Sequence, residues 1–473
     1  MKNIILIDIC SYALESIMAI PDVHISVLVV DSKKQGMLAL KKYPDRISNI
    51  YYRITSTYEE FLALHKNDYN VTYEEIEKYR NAQLKTEQYL SREVLDYNEW
   101  QYRYHIGLSY WLNIFEKNNI DCVISMHLEH GGLYDSIPFE IAKQRNILAF
   151  NQNIEFNNGN TTCLNFRCVN NGKLLNLQEI TSRYTPPSAE SYLHNKNSTS
   201  KPVKAKKKNN TLGLFKEKVR SCFKPLKKEF FCKTNIYNYW YNLTNQEIHK
   251  NSNYLKRLKK IYNQISVAPK NNEKYIFYGL HMEPEAVIMN RGTMNSQLYI
   301  IKMLSESLPD GWKLYVKEHP QQFNSSGIFF YFLRNIFLYR TEQFYRNILD
   351  NKNVELINLE TSSQTLIENS QGCATICGTI IFESISHHKP VLIFGNDTTV
   401  LSEVKDTLKI KSKEDIKDAF NKIKDGFKPQ YTDVNEVVQK YLFEDKNQET
   451  CVNSTPKDFL IDIFSYIFNL KEY

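Results

Sequence analysis

Three short stretches in the second half of the chain put charged and hydrogen-bonding groups beside backbone breaks. LHMEPE (280–285) sets two carboxylates, Glu283 and Glu285, around Pro284. VKEHP (316–320) places Lys317 two residues from His319, so both point to one face of a strand that Pro320 ends. CGTIIFES (377–384) reads as a strand passing into a helix. Gly378 and Thr379 would occupy the first turn, where free N–H groups and the helix dipole favour a phosphate. Glu383, one turn further in, is spaced to take two hydroxyls of a ribose. His319 offers a proton donor to a phosphate or to a departing nucleotide. Singly, each is common turn or strand-end chemistry; their order, each at a strand end, is what argues for a site.

The first half carries one comparable stretch, SMHLEHGGLYD (125–135), after the apolar run DCVISM. His127, Glu129, His130 and Asp135 are its candidates, and Gly131-Gly132 lets backbone approach a ligand closely. Glu129 is the first choice for acid–base work and His130 the second.

The elements that must position these groups alternate. KNIILIDI and VHISVLVVD flank a helical stretch, and DCVISM and NILAF flank another. After residue 236 come YIFYGL, WKLYVKE, VELIN, CATICGT and PVLIFG, with helical spacing between them. Short apolar runs separated by amphipathic segments predict an α/β fold with parallel sheets, in two Rossmann-like domains facing a cleft. The turn after the first strand, DICSYALES, has no GxGxxG, so a dinucleotide fingerprint is absent. The expected division is 1–194, a Rossmann-like domain with a helical insertion at about 57–117; 195–235, a basic linker and amphipathic helix; 236–440, a second Rossmann-like domain; and 441–473, helices packing back on the first domain.

Length and charge bound the rest. The chain has 473 residues, too many for one core, with 42% hydrophobic and 24% charged residues, which excludes a wholly disordered or fibrous protein. The net charge of +7 is local: residues 195–228 hold twelve Lys and Arg against the single acid Glu217, leaving the remainder net acidic. Within 211–231, Leu212, Phe215, Val219, Phe223 and Phe230 recur at helical spacing among lysines, which suits an anionic inner-leaflet surface. No nucleic-acid module surrounds this stripe, so nucleic acid is not an expected partner. Nine cysteines without a CxxC pair read as reduced thiols. Asp8 and Glu15 interrupt the N-terminal apolar run, so a cytoplasmic location is expected, peripheral to the inner membrane face through 211–231.

The run YIFYGLHMEPEA, the later LP and VKEHP, and ATICGTIIFESISHHKPVLIFGN together resemble the capsule and surface polysaccharide biosynthesis family, which includes Kdo transferases and related lipopolysaccharide enzymes. His281, Pro284, Glu285, Gln297, Pro309, Lys317, His319 and Pro320 match, as do Gly378, Thr379, Glu383, Lys389, Pro390 and Gly395. The resemblance covers about 275–396, with a looser match at 121–150. It implies a GT-B glycosyltransferase that takes an acidic sugar such as Kdo from a CMP-sugar to a lipid-linked or oligosaccharide acceptor. The CMP-sugar would be a co-substrate, with no other cofactor and no metal. By the same resemblance His319 and Pro320 contact the nucleotide, with Lys317 on the same strand face adding positive charge beside them, and Gly378, Thr379, Glu383 and Ser384 contact its phosphate, ribose or base. Glu285 stands near the place of the family's carboxylate nucleophile, and His281, Glu283 and Asp135 fall to the substrate. Two residues depart from the pattern: Glu283 where Gln is usual, and Ser384 where Ala is usual. Two other readings remain open: a GT-B transferase using a UDP- or GDP-sugar or a polyol-phosphate donor, and a non-catalytic capsule assembly or export protein.

Overall fold

A computed structural model describes residues 1–9, 12–55, 57–92, 96–157, 162–182, 185–193, 245–285, 288, 294–323, 335–395, 399–445 and 457–470. The basic linker and the amphipathic stretch 211–231 lie outside the described residues.

The first sheet contains β1 (Lys2–Ile7), β2 (Val23–Val30), β3 (Ile47–Tyr52), β4 (Cys122–Ser125), β5 (Leu148–Asn157) and β6 (Thr162–Cys168). The second contains β7 (Tyr275–Gly279), β8 (Lys313–Lys317), β9 (Val354–Ile357), β10 (Gly372–Thr375), β11 (Val391–Ile393) and β12 (Leu408–Lys409). A last strand, β13 (Phe443–Asp445), returns to the first sheet and pairs antiparallel with β6. The orders are β13-β6-β5-β4-β1-β2-β3 and β12-β11-β10-β7-β8-β9. Both are the doubly wound Rossmann sequence, in which the chain moves outward from a central strand, returns, and continues on that strand's other side. All pairings in the second sheet are parallel, and in the first only β5–β6 and β6–β13 are antiparallel. The expected α/β class with parallel sheets is what the chain forms.

The strand sequences explain the burial. A parallel sheet covered by helices on both faces needs continuous apolar runs, and all five residues of β7 are buried. Alternate residues feed opposite layers. In the first sheet Ile4 and Leu6 face one core and Ile5 and Ile7 the other. In the second, Ile276 and Tyr278 face one layer and Tyr275 and Phe277 the other. The helix Lys457–Asn469 buries Phe459, Leu460, Ile463, Phe464, Ile467 and Phe468, and these complete the first sheet's Ile4 layer. On the opposite face the long helix Tyr97–Lys117 inserts Trp111, fully buried, whose indole N–H donates to Leu133 O.

The two halves touch through hydrogen bonds. Glu155 of β5 accepts from the Thr399 hydroxyl at 2.8 Å and the Val400 N–H at 3.1 Å. The Asn335 side chain donates to Ser91 O at 2.7 Å, and the Ser91 and Tyr339 hydroxyls also pair.

Candidate functional site

In a doubly wound sheet the crevice opens beyond the carboxyl ends of the strands on either side of the reversal, here β7 and β10. The LHMEPE loop leaves β7 there, and the CGT turn leaves β10. His281 crosses between them: its Nε2 lies 3.0 Å from Thr375 Oγ1 and accepts the Cys377 N–H at 3.3 Å. Gly378 has φ +91° and ψ −163°, a backbone region essentially reserved for glycine, and a Cβ there would meet His281 Cε1 at 3.5 Å. The first turn of the helix Thr379–Ser386 is thus left open, with Gly378 and Thr379 exposed.

Two glutamines hold the first loop by its backbone. Gln297 accepts from His281 N–H at 2.8 Å and donates to His281 O at 3.3 Å. Gln322 accepts from Glu283 N–H and donates to Glu283 O, both at 2.8 Å. The Glu283–Pro284 peptide is cis. Beneath the loop lies Arg340, fully buried. Its Nη2 donates to His281 O at 2.7 Å, its Nε to Glu318 at 3.0 Å, and its Nη1 pairs with Glu283; the guanidinium lies 4.2 Å from the centre of the Phe344 ring. Glu318, also buried, accepts from the Tyr345 hydroxyl at 2.6 Å and from His319 N–H at 2.8 Å. Arg340 therefore ties the first motif to the second, because a buried guanidinium requires carboxylates and carbonyls around it.

The second motif brings Lys317 and His319 to the same opening. Lys317 is nearly buried, and burial, its largest influence, pulls its ammonium below the usual lysine range against the charges of Glu318, Glu360 and Glu383. Glu383, half-buried, is raised by burial while hydrogen bonding from Thr379 and the Lys317 charge oppose the rise. His319 Nδ1 accepts the Gln321 N–H at 3.2 Å, which leaves Nε2 as the protonated, donating nitrogen of a neutral ring. Its pKa is pushed down to about 4 by desolvation, then by Lys317 and Arg340. The His319 side chain is exposed, which limits the desolvation, while the Lys317 and Arg340 charges act in the same direction. His281 is pushed lower, to about 3, by desolvation, then by His319 and Arg340. Pro320 is exposed and opens the 3-10 turn Pro320–Phe323. Glu285 is raised by burial, with Arg92 of the first half opposing the rise.

Ser384 does not stand where the expected nucleotide contact needs it. Ser384 is wholly buried on the inner side of its helix, beside Cys373 in the core, and is out of reach of a nucleotide. Adjacent helical residues lie about 100° apart, so Glu383 and Ser384 face different ways. Glu283 reaches the crevice loop, but its carboxylate is committed to Arg340.

The first half presents its groups at the corresponding reversal, between β1 and β4. Glu129 is buried, accepts from Lys85 Nζ at 2.9 Å and also accepts from the Ser136 hydroxyl. Asp135 is fully buried and caps the helix Ser136–Gln144; its carboxylate accepts from His130 N–H and Ser136 N–H, both at 2.7 Å. Burial, then the Glu129 charge, pushes Asp135 up to about 8. His127 Nε2 and His130 Nδ1 lie 3.9 and 4.0 Å from Asp135 Oδ2.

Arg340, Glu318, Gln322 and Lys85 escaped the sequence reading. Glu318 and Gln322 were within reach of it, inside or next to VKEHP. Arg340 and Lys85 lie in helical surroundings with no local pattern to mark them.

Residues 179–401 match the model of a family described as capsule polysaccharide biosynthesis protein. No curated protein matches the sequence. Among solved structures, the beta Kdo 2,7 transferase of KpsC from Thermosulfurimonas dismutans aligns at 10% identity over 93% of this chain and 99% of its own, with a TM-score of 0.34. The beta Kdo 2,4 transferase of the same KpsC aligns at 14% identity over 48% of this chain and 64% of its own, with a TM-score of 0.25. The UDP-GlcNAc 2-epimerase of Methanocaldococcus jannaschii aligns at 10% identity over 98% and 100%, with a TM-score of 0.26.

Proposed function

From a chain whose residues 179–401 match the capsule polysaccharide biosynthesis family, we propose a glycosyltransferase that moves an acidic sugar such as Kdo from CMP to a lipid-linked or saccharide acceptor. The observation that carries this reading is the meeting of His281, Lys317, His319 and Glu383 with the open Gly378–Thr379 helix start at one strand reversal. Those groups suit a nucleoside monophosphate. The helix start and Lys317 receive the phosphate, His319 Nε2–H donates to the oxygen that departs, and Glu383 takes the ribose.

Glu285, facing the charge of Arg92, attacks the anomeric carbon or steadies its positive charge. On the first half Glu129 serves the acceptor hydroxyl, its carboxylate oriented by Lys85 and Ser136. The segment 211–231 would hold the enzyme at the inner leaflet. Among the described residues no helix is long and apolar enough to cross a membrane.

The test is twofold. CMP should raise the thermal midpoint more than CDP, UDP or GDP at equal concentration, because only a ligand bound to the folded state shifts it. Incubation with CMP-Kdo and a capsule lipid acceptor should release free CMP. A larger shift with UDP or GDP, or no shift with any nucleotide, would overturn the reading.

A further inference from the structure

His127, His130 and Asp135 bring three ligand atoms to one place at the carboxyl end of β4, all within 4.8 Å of one another. Asp135 Oδ2 is held by the His130 N–H, and Oδ1 by the Ser136 N–H, so the carboxylate cannot swing away. Ser125 sets the His127 tautomer. Its hydroxyl donates to His127 O at 2.9 Å and lies 3.2 Å from His127 Nδ1. A hydroxyl has one proton; with that proton on the carbonyl, Nδ1 carries the ring proton and donates to Ser125 Oγ. The His127 Nε2 lone pair then faces Asp135 Oδ2 across 3.9 Å, too far for a hydrogen bond. Among the described residues this buried Nε2 has no hydrogen-bond partner. A cation between these two shielded atoms would stabilise both, displacing the proton that burial favours on Asp135.

We propose that His127 Nε2, His130 Nδ1 and Asp135 Oδ2 bind a first-row divalent transition metal, with zinc the reference ion. Two imidazoles and one carboxylate suit that class, whereas magnesium and calcium prefer oxygen ligands throughout. At metal–ligand distances of about 2.1 Å, tetrahedral ligands stand roughly 3.4 Å apart, so each histidine nitrogen closes on Asp135 Oδ2 by about 0.5 Å, and the two nitrogens close on each other by at most about 1.4 Å. His130, whose side chain is 38% exposed and which precedes Gly131 at φ +87°, has the freedom to supply that movement. Three protein ligands leave positions open for water or an acceptor hydroxyl. The ion would sit on the first half, apart from the nucleotide groups, and departs from the expectation of metal independence.

The test uses tag-free full-length protein, stripped with chelator, incubated with ZnCl2 and desalted, with metal content read by mass spectrometry. The wild type should retain roughly one zinc per chain, and Co2+ in its place should give visible d–d absorption. H127Q should retain about tenfold less or lower, and H130Q, at a half-exposed position that tolerates change, should do the same with an unaltered circular dichroism spectrum. A wild type that keeps less than about a tenth of an equivalent, or variants that keep as much as the wild type, would overturn the proposal.

Discussion

Arg340→Met removes the cation that three groups share. Glu318 loses the 3.0 Å bond from Nε, His281 O the 2.7 Å bond from Nη2, and Glu283 its partner. Glu318 and Arg340 are both fully buried, so water cannot replace what is lost. Stripping one partner from a buried pair costs about 3–5 kcal/mol. The lower end applies here, because Glu318 keeps the Tyr345 hydroxyl and the His319 N–H. Urea unfolding followed by tryptophan fluorescence measures the loss, with Trp312 reporting on the second half and Trp111 on the first. The second half's transition should move and the first half's should not. Adding Glu318→Gln removes the stranded charge, so the double variant should be less destabilised than the sum of the two singles by at least about 1.5 kcal/mol. Nucleotide affinity should fall too, since the loop carrying His281 loses its anchor. A loss under about 1 kcal/mol for Arg340→Met, or strict additivity, would refute the view that Arg340 ties the two motifs together.

Three other outcomes are expected. His281 is neutral when folded and protonates at about 6.5 when unfolded, so its contribution to stability is lost as pH falls from 6.5 toward 3. At pH 5.5 the loss is about 1.4 kcal/mol, and His281→Asn should flatten the stability–pH curve in that window; an unchanged slope would contradict the assigned burial. Glu155 accepts from Asn153, Asn165 and Val400 on Oε1 and from Tyr192 and Thr399 on Oε2; Glu155→Gln turns one of these two oxygens into a donor, which should cost about 2–3 kcal/mol and speed hydrogen exchange at residues 399–403. Glu285→Gln should lower turnover with CMP-Kdo by at least about a hundredfold while CMP still protects the fold, and normal turnover would remove Glu285 from the chemistry.

Much of the second half's site is visible in single stretches, because each strand of a doubly wound sheet delivers its functional residues within a few positions of its end. VKEHP and CGT sit directly at β8 and β10 and needed only the strand assignment. Ser384 was misplaced because a pattern match carries no helical phase, and one position turns a side chain from crevice to core. In the first half, Glu129 was legible as a candidate, but its Lys85 partner comes from a helix 44 residues earlier.

What the chain's order of residues determines by itself is local. Apolar runs dictate strands covered on both faces, and proline and glycine dictate where they stop. The motifs follow because they are written within single turns. What only the tertiary structure decided is which ends become neighbours. Insertion of β7 between β8 and β10 brings His281 to Cys377, 96 residues away, and Arg340 to Glu283, 57 residues away. The physical reason is that burial of two continuous apolar faces sets the strand order, and a buried charge takes its partner from whatever that order places beside it.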